Sequence, residues 1–277
     1  MPVPDGERAA IAERILAAGD AASSVPPITD EIAGFDLADA YGVSAMVTRL
    51  RVARGERPVG WKIGFTNRTI WDEYGVHAPI WGPMYSSTVE EGDPAAGPLL
   101  CPIGRLVEPR IEPEIALRIA AIPDAGMDER ALMSCVDGVA HGFEIVQSIF
   151  PGWIFKAADT VAAFALHGCY RHNPFVRIGA ADQDDWRGML SGFRIELSRN
   201  GDPIDTGIAA NVLGGGPLSA LRHLVRGLAE QPGDHGLLPG DIVTTGTVTR
   251  AFPVFPGERW STRLTGLKLP GMSIVFA

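Results

Sequence analysis

Glu112 and Glu114 stand two residues apart in the run Glu108-Pro-Arg-Ile-Glu-Pro-Glu-Ile-Ala-Leu117. Ile111, Ile115 and Leu117 surround them, so the run reads as a β-strand. On a strand, residues i and i+2 share a face, so both carboxylates project together. Like charges that close repel unless a cation lies between them. A third acid, Glu144, follows thirty residues later in the apolar run Val139-Ala-His-Gly-Phe-Glu-Ile-Val146. Glu-x-Glu alone is most often a solvated strand face. A third acid flanked by Phe143 and Ile145 shifts the balance, because unpaired buried carboxylates are rare. Three carboxylates on strands suit a hard cation such as Mg²⁺. The stretch closes on Lys156 and Asp159, an acid/base pair three residues apart.

The net charge of -9, with no basic stripe, excludes a nucleic-acid partner. It also disfavours an anionic substrate unless a metal or local positive charge reverses the field. Cys101, Cys135 and Cys169 are odd in number and widely spaced, with no Cys-x-x-Cys. They read as buried thiols of a reducing compartment. No signal-peptide pattern and no membrane-length apolar run is present, so the expected location is the cytoplasm, with no membrane partner.

Periodicity predicts an amphipathic helix over 6–22 and a second over 37–54. Together they make an α-rich N-terminal segment, 1–57, ahead of a catalytic part, 58–277. In Pro58-Val-Gly-Trp-Lys-Ile-Gly-Phe-Thr66 large apolar residues alternate with small or polar ones, as in a strand. Lys62 is its lone charge: either an edge lysine that snorkels, or an ammonium aimed at an anion or the carboxylates. Further on, the pattern predicts a turn at 70–74, a loop at 79–83, a helix over 128–139 and a loop at 148–153. A buried strand is expected over 161–168, a strand with an Asn200-Gly201 hairpin at 193–201, and a helix over 218–229. The Gly214-Gly-Gly216 run lacks the spacing of a phosphate-binding loop and reads as a tight connection.

Six segments in order then form a pattern: Gly60-Trp-Lys-Ile-Gly-Phe-Thr66, Glu108 to Ala116, Phe143-Glu-Ile-Val146, Asp159-Thr-Val-Ala162, Pro239-Gly-Asp-Ile-Val-Thr-Thr-Gly-Thr247 and Phe255-Pro-Gly-Glu258. The chain resembles, over about residues 35–277, the 2-keto-4-pentenoate hydratase / 2-oxo-3-hexenedioate decarboxylase family of the fumarylacetoacetate hydrolase superfamily. The resemblance implies an α+β fold, with a mixed β-sheet roll like the C-terminal domain of fumarylacetoacetate hydrolase and a small α-rich N-terminal segment. It implies a homo-oligomer and a Mg²⁺ or Mn²⁺ ion on Glu112, Glu114 and Glu144. It implies catalytic roles for Lys62 and Asp159, with Lys156 at the spacing of the lysine in the acylpyruvate hydrolase branch. Thr247 falls on a threonine that many members place near the substrate.

The chain departs from the family after Asp159-Thr-Val-Ala162. Where the hydratases read Asp-Asn, it has Ala163-Phe164, and His167 follows. Phe164 and His167 are therefore the expected substrate contacts particular to this chain. The implied activity, in the catabolism of aromatic ring-cleavage products, is metal-dependent addition of water to a small 2-hydroxy-2,4-dienoic acid, giving a 4-hydroxy-2-oxo acid. Decarboxylation of a 2-oxo-3-enedioate would use the same residues. Acylpyruvate hydrolysis would need a placed water-activating base, and no histidine has triad spacing. The lost Asp-Asn pair also raises an inactive accessory subunit.

Overall fold

The structure, a computed structural model, describes residues 2–231 and 236–277. Helices α1 (Asp5–Asp20), α2 (Ile28–Glu31) and α3 (Leu37–Ala53) lead into β1 (Pro58–Gly64), α4 (Trp71–Tyr74), β2 (Ile80–Tyr85), β3 (Val89–Glu91), β4 (Leu99–Cys101) and β5 (Arg110–Ile119). Next come α5 (Glu129–Met133), β6 (Val136–Val146), α6 (Ala157–Ala162), β7 (His167–His172), β8 (Val176–Arg177), α7 (Gln183–Gly192), β9 (Arg194–Arg199) and β10 (Asp202–Ile208). The chain ends with α8 (Pro217–Glu230), β11 (Ile242–Thr244), β12 (Phe252–Pro253), β13 (Arg259–Thr265) and β14 (Ser273–Phe276).

The larger sheet runs β2-β1-β11-β5-β6-β7-β3, with β12 also on β5 and β8 on β6. Its strands pair both parallel and antiparallel. The smaller sheet runs β10-β9-β13-β14-β4. Helices and mixed sheets together make the α+β fold that the sequence led us to expect.

The N-terminal helices form where the apolar period predicts. Ile11, Ile15 and Leu16 of α1 and Ala40, Val43 and Val47 of α3 are buried. They share one apolar cluster with Val146, Trp153 and Phe164. Asp36 caps α3, accepting from Asp39 N at 3.0 Å. Asp39 in turn binds the Val3 amide at 3.0 Å and Arg8 Nη2 at 2.7 Å, tying α1 to α3. Burial opposes the charge on Asp39, but the Arg8 and backbone hydrogen bonds overcome that and hold its carboxyl below the ordinary 3.8. A depressed folded value stabilises the fold above pH 3.8, and the gain disappears as the pH falls through the folded value. Replacing Asp39 by Ala should cost about 2 kcal/mol at neutral pH, because it leaves the Val3 amide without its acceptor and removes the shorter of the two carboxylate contacts of Arg8. Urea denaturation checks this, and the gap to wild type should close in acid.

Three segments differ from the sequence pattern. Residues 79–83, expected as loop, lie largely in β2. Pro83 is tolerated there because β2 is an edge strand. The helix expected over 128–139 stops after one turn, and β6 starts at Val136, drawn into a long antiparallel pair with β5. The strand expected over 161–168 is the end of α6 and a 3-10 turn; β7 starts only at His167. Short, fully buried apolar runs do not reveal their period. The Asn200-Gly201 turn (φ 53° and 94°) and α8 follow the pattern. All three cysteines are buried and free.

Candidate active site

The pairing of β5 with β6 builds the centre of the site. Glu112 lies opposite Glu144, and Glu114 lies opposite Gly142. All three side chains therefore leave one face, and one oxygen of each falls within 4.8 Å of the others. Glu114 and Glu144 are fully buried. Gly142 matters because a Cβ there would meet the Tyr170 hydroxyl at 2.6 Å. Glu114 Oε2 accepts from the Gly246 amide at 2.8 Å. Gly246 has φ 88°, and an added Cβ would run into Thr66 Oγ1, so only glycine can place that amide.

Lys62 comes from β1, two strands away through β11. It is 2% exposed, and its Nζ donates to Ala165 O at 3.0 Å. Nζ also lies 3.2 Å from Glu144 Oε2, an ion pair without hydrogen-bond geometry. Burial alone disfavours the charged form of this ammonium. The charges of Glu144, Glu112 and Glu114 outweigh that and raise its pKa. The snorkelling reading of Lys62 is thus wrong: the ammonium points inward. Its acceptor, Ala165 O, sits in an unusual segment. Phe164, Ala165 and Leu166 all have positive φ (59°, 51°, 64°), a conformation that persists only when its surroundings enforce it.

One cation faces three buried acids, so the charges do not balance. Burial, followed by repulsion from Glu144, pushes the Glu112 carboxyl up to about 7. Burial, then Glu144 and Glu112, drives Glu114 further from its ordinary value. Glu144 alone is held low: burial opposes its charge, but Lys62 and a His167 hydrogen bond prevail. Glu114 Oε1 and Glu144 Oε2 are buried without a hydrogen-bond partner. Unpaired oxygens on converging, charge-starved carboxylates suit a hard divalent cation.

Beside Lys62 and Glu112 lies a cavity of about 20 Å³, room for one water. Phe65, Tyr74, Val146, Trp153 and Leu166 wall it. Trp153, Tyr74 and Arg110 went unnoticed in the sequence, where 70–74 read as a turn and 148–153 as loop. No local pattern marks them.

Other expected site residues lie elsewhere. His167 donates from Nδ1 to Glu144 Oε1 at 2.8 Å, and its Nε2 pairs with Thr88 Oγ1 at 2.9 Å. Both nitrogens are engaged, which leaves none for a substrate. Phe164 turns towards Gly19 and Arg51, outside the 20 Å³ cavity. Thr247 Oγ1 is occupied within its own turn, at 3.2 Å from Thr249 O and N. Asp159 is fully buried and accepts from Thr29 N (2.9 Å), Thr29 Oγ1 (2.7 Å) and Lys156 N (2.8 Å), stapling α2 to the start of α6. Lys156 is exposed, and neither it nor Asp159 lines the cavity. Of the histidines near the motifs, His77 is surface-exposed. His141 bonds Glu114 O and Thr262 Oγ1. Neither of these, nor His167, lines the cavity.

No family model matches the chain. Among curated proteins it is similar to 2-hydroxyhexa-2,4-dienoate hydratase of Comamonas testosteroni, with 31% identity over 258 residues and 92% of each chain. Among solved structures it is similar to 4-oxalocrotonate decarboxylase from Pseudomonas putida G7, complexed with magnesium and adipate. That match has TM-score 0.88, 25% identity and 99% coverage of both chains. Fumarylpyruvate hydrolase from Pseudomonas aeruginosa, in complex with Mn²⁺ and pyruvate, shares the fold. Its TM-score is 0.59, at 16% identity over 80% of this chain and 89% of that one.

Proposed function

The chain belongs to the 2-keto-4-pentenoate hydratase / 2-oxo-3-hexenedioate decarboxylase family of the fumarylacetoacetate hydrolase superfamily, and on that premise we propose that it hydrates a 2-hydroxy-2,4-dienoate to a 4-hydroxy-2-oxo acid. The observation that carries this reading is the buried Glu112–Glu114–Glu144 cluster facing a buried, charged Lys62. The three glutamates would hold a divalent cation, Mg²⁺ or Mn²⁺, which would supply Lewis-acid polarisation to an α-oxo acid.

The chain's own groups do the rest. Lys62 Nζ, kept as a cation by its acidic neighbours, faces the charge that builds on the substrate as the 2-hydroxyl gives up its proton. The same ammonium is the one placed to move a proton to carbon: it gives one to C5 and takes the 2-hydroxyl proton in its place, so its charge is restored and the 2-oxo-3-enoate forms. Water then adds across C3=C4, its oxygen to C4 and its proton to C3. Ala165 O and Glu144 hold Nζ in register for these transfers. Phe65, Val146, Trp153 and Leu166 keep bulk water away. Asp159, Thr247 and Phe164 support the fold around the site through the contacts above, and the exposed Lys156 side chain takes no part in this scheme.

His167 acts here as a positioning residue for Glu144, in place of the substrate contact first expected. His167→Ala should weaken Mn²⁺ affinity about 10- to 100-fold, the usual cost of losing such a partner. His167→Asn, which can still present an amide donor, should recover part of it. Mn²⁺ titration followed by electron paramagnetic resonance checks both, and unchanged affinity in the alanine variant would count against the role.

Residues 1–57 and 58–277 share an apolar cluster, so the helical segment should unfold together with the catalytic part. Free buried thiols fit a reducing, cytoplasmic setting, and among the described residues no helix is long and apolar enough to cross a membrane. A homo-oligomer rests on the family resemblance.

The reaction is tested by incubating 2-hydroxyhexa-2,4-dienoate and 2-oxo-3-hexenedioate separately with the Mg²⁺-loaded protein. Loss of the dienol ultraviolet band without CO₂ supports hydration. CO₂ from the dioate as the faster reaction would replace it with decarboxylation.

A further inference from the structure

Of the three free cysteines, two meet in space. Cys101 ends β4 in the smaller sheet, and Cys169 lies in β7 of the larger one. They stand 68 residues apart in the chain, yet their sulfurs are 3.8 Å apart. Cys135 provides the contrast. Its sulfur contacts Met127 Sδ at 3.8 Å and Ala131 O at 4.0 Å.

The Cys101–Cys169 pair is buried in the apolar cluster that also holds Ile111, Phe143, Trp260 and Ile274. Apolar surroundings make a thiol inert, and two features offset this. The first is electrostatic. Contact with the Cys169 thiol holds Cys101 below its ordinary 9.0; burial opposes this, and the Arg171 charge assists it. The second is access. β4 is three residues long and closes one edge of its sheet. Leu100, beside Cys101, is exposed. Pairing with β14 and the Ala277 amide, which donates to Cys101 O at 3.0 Å, hold the strand in place. A short edge strand with few partners opens locally at low cost, and each opening uncovers both sulfurs.

We propose that Cys101 and Cys169 form a redox pair that a peroxide converts to a disulfide, tying the two sheets together. The Cys101 thiolate attacks one peroxide oxygen, and the O–O bond breaks. The departing hydroxide takes up the proton that the thiol gave up and leaves as water. Cys101 is now a sulfenic acid. The Cys169 sulfur attacks the Cys101 sulfur, the S–O bond breaks, and hydroxide leaves with the Cys169 proton as a second water. Two thiols are oxidised and one peroxide is reduced. A bond needs the sulfurs about 2 Å apart, and the short edge strand β4 is the element able to move in.

The test treats the native full chain with hydrogen peroxide, unfolds it in an alkylating agent and maps its peptides without reduction. Wild type should yield a Cys101–Cys169 cross-linked peptide and an alkylated Cys135, and dithiothreitol should restore all three thiols. A cross-link across so long a loop constrains the unfolded chain, so the oxidised protein should melt about 5 °C higher. Cys135→Ala should behave as wild type. Cys169→Ala should give no internal cross-link and leave Cys101 as a sulfenic or sulfinic acid. Recovery of Cys101 and Cys169 as unmodified thiols from treated wild type overturns the proposal. So does a cross-link that engages Cys135, or sulfinic acid at either position without the disulfide. A disulfide that leaves the melting temperature unchanged overturns the tie between the sheets.

Discussion

Glu114→Gln should abolish metal binding and turnover together. Glu114 is fully buried, with Oε2 fixed by the Gly246 amide and Oε1 without a partner. An amide in its place presents a neutral oxygen at best and loses the charge that a hard cation needs. The affinity loss should exceed the roughly 100-fold that outer contacts cost. Stability separates this from simple misfolding. The Glu114 pKa is raised in the fold, so the metal-free protein is unpenalised by this group below pH 4.5 and loses stability as the pH rises towards the folded value. Glutamine removes that cost. Without metal, the variant should therefore melt no lower than wild type at neutral pH, and wild type alone should gain a higher melting temperature from Mg²⁺. Scanning calorimetry with and without Mg²⁺ reads both, and metal stabilisation of the variant equal to wild type would refute the assignment.

Lys62→Ala should separate metal binding from turnover, keeping the first and losing the second. Its Nζ competes for Glu144 Oε2 at 3.2 Å, so removing it should leave metal affinity unchanged or improved. Turnover should fall about 1000-fold, the scale of losing both a proton carrier and a charge at the reacting centre. The drop should appear in kcat more than in KM, because the ammonium acts on charge that develops during reaction. A variant that turns over normally would remove Lys62 from the mechanism.

Strand alternation made the acidic cluster legible. Glu112 and Glu114 had to share a face once Ile111, Ile115 and Leu117 marked a strand, and Glu144 stood out as an acid within an apolar run. The pairing that brings Glu144 opposite Glu112 was not legible, because a register between distant strands leaves no local trace. Lys62 was visible as an isolated charge, and its inward direction was not. Asp159 looked catalytic from its spacing to Lys156. Its partner Thr29 is 130 residues away, so its stapling contacts could be seen only in three dimensions. His167 was noticed as a histidine gained, but its contact with Glu144 depends on β7 lying beside β6.

The aromatic wall was the least visible part. Trp153 reaches the cavity through a positive-φ turn after Pro151, and Arg110 joins it by stacking. Neither leaves a periodic signature. The run 161–168 misled for a related reason: buried on all sides, it carries no period to separate a helix turn from a strand.

The central claim is a metal-dependent hydratase whose ion sits on Glu112, Glu114 and Glu144. Its most direct test is the rate of dienol loss from 2-hydroxyhexa-2,4-dienoate by chelator-treated protein as Mg²⁺ is added back. The account predicts negligible turnover at the start and full recovery at one bound ion per chain. Undiminished hydration by the metal-free protein would contradict it.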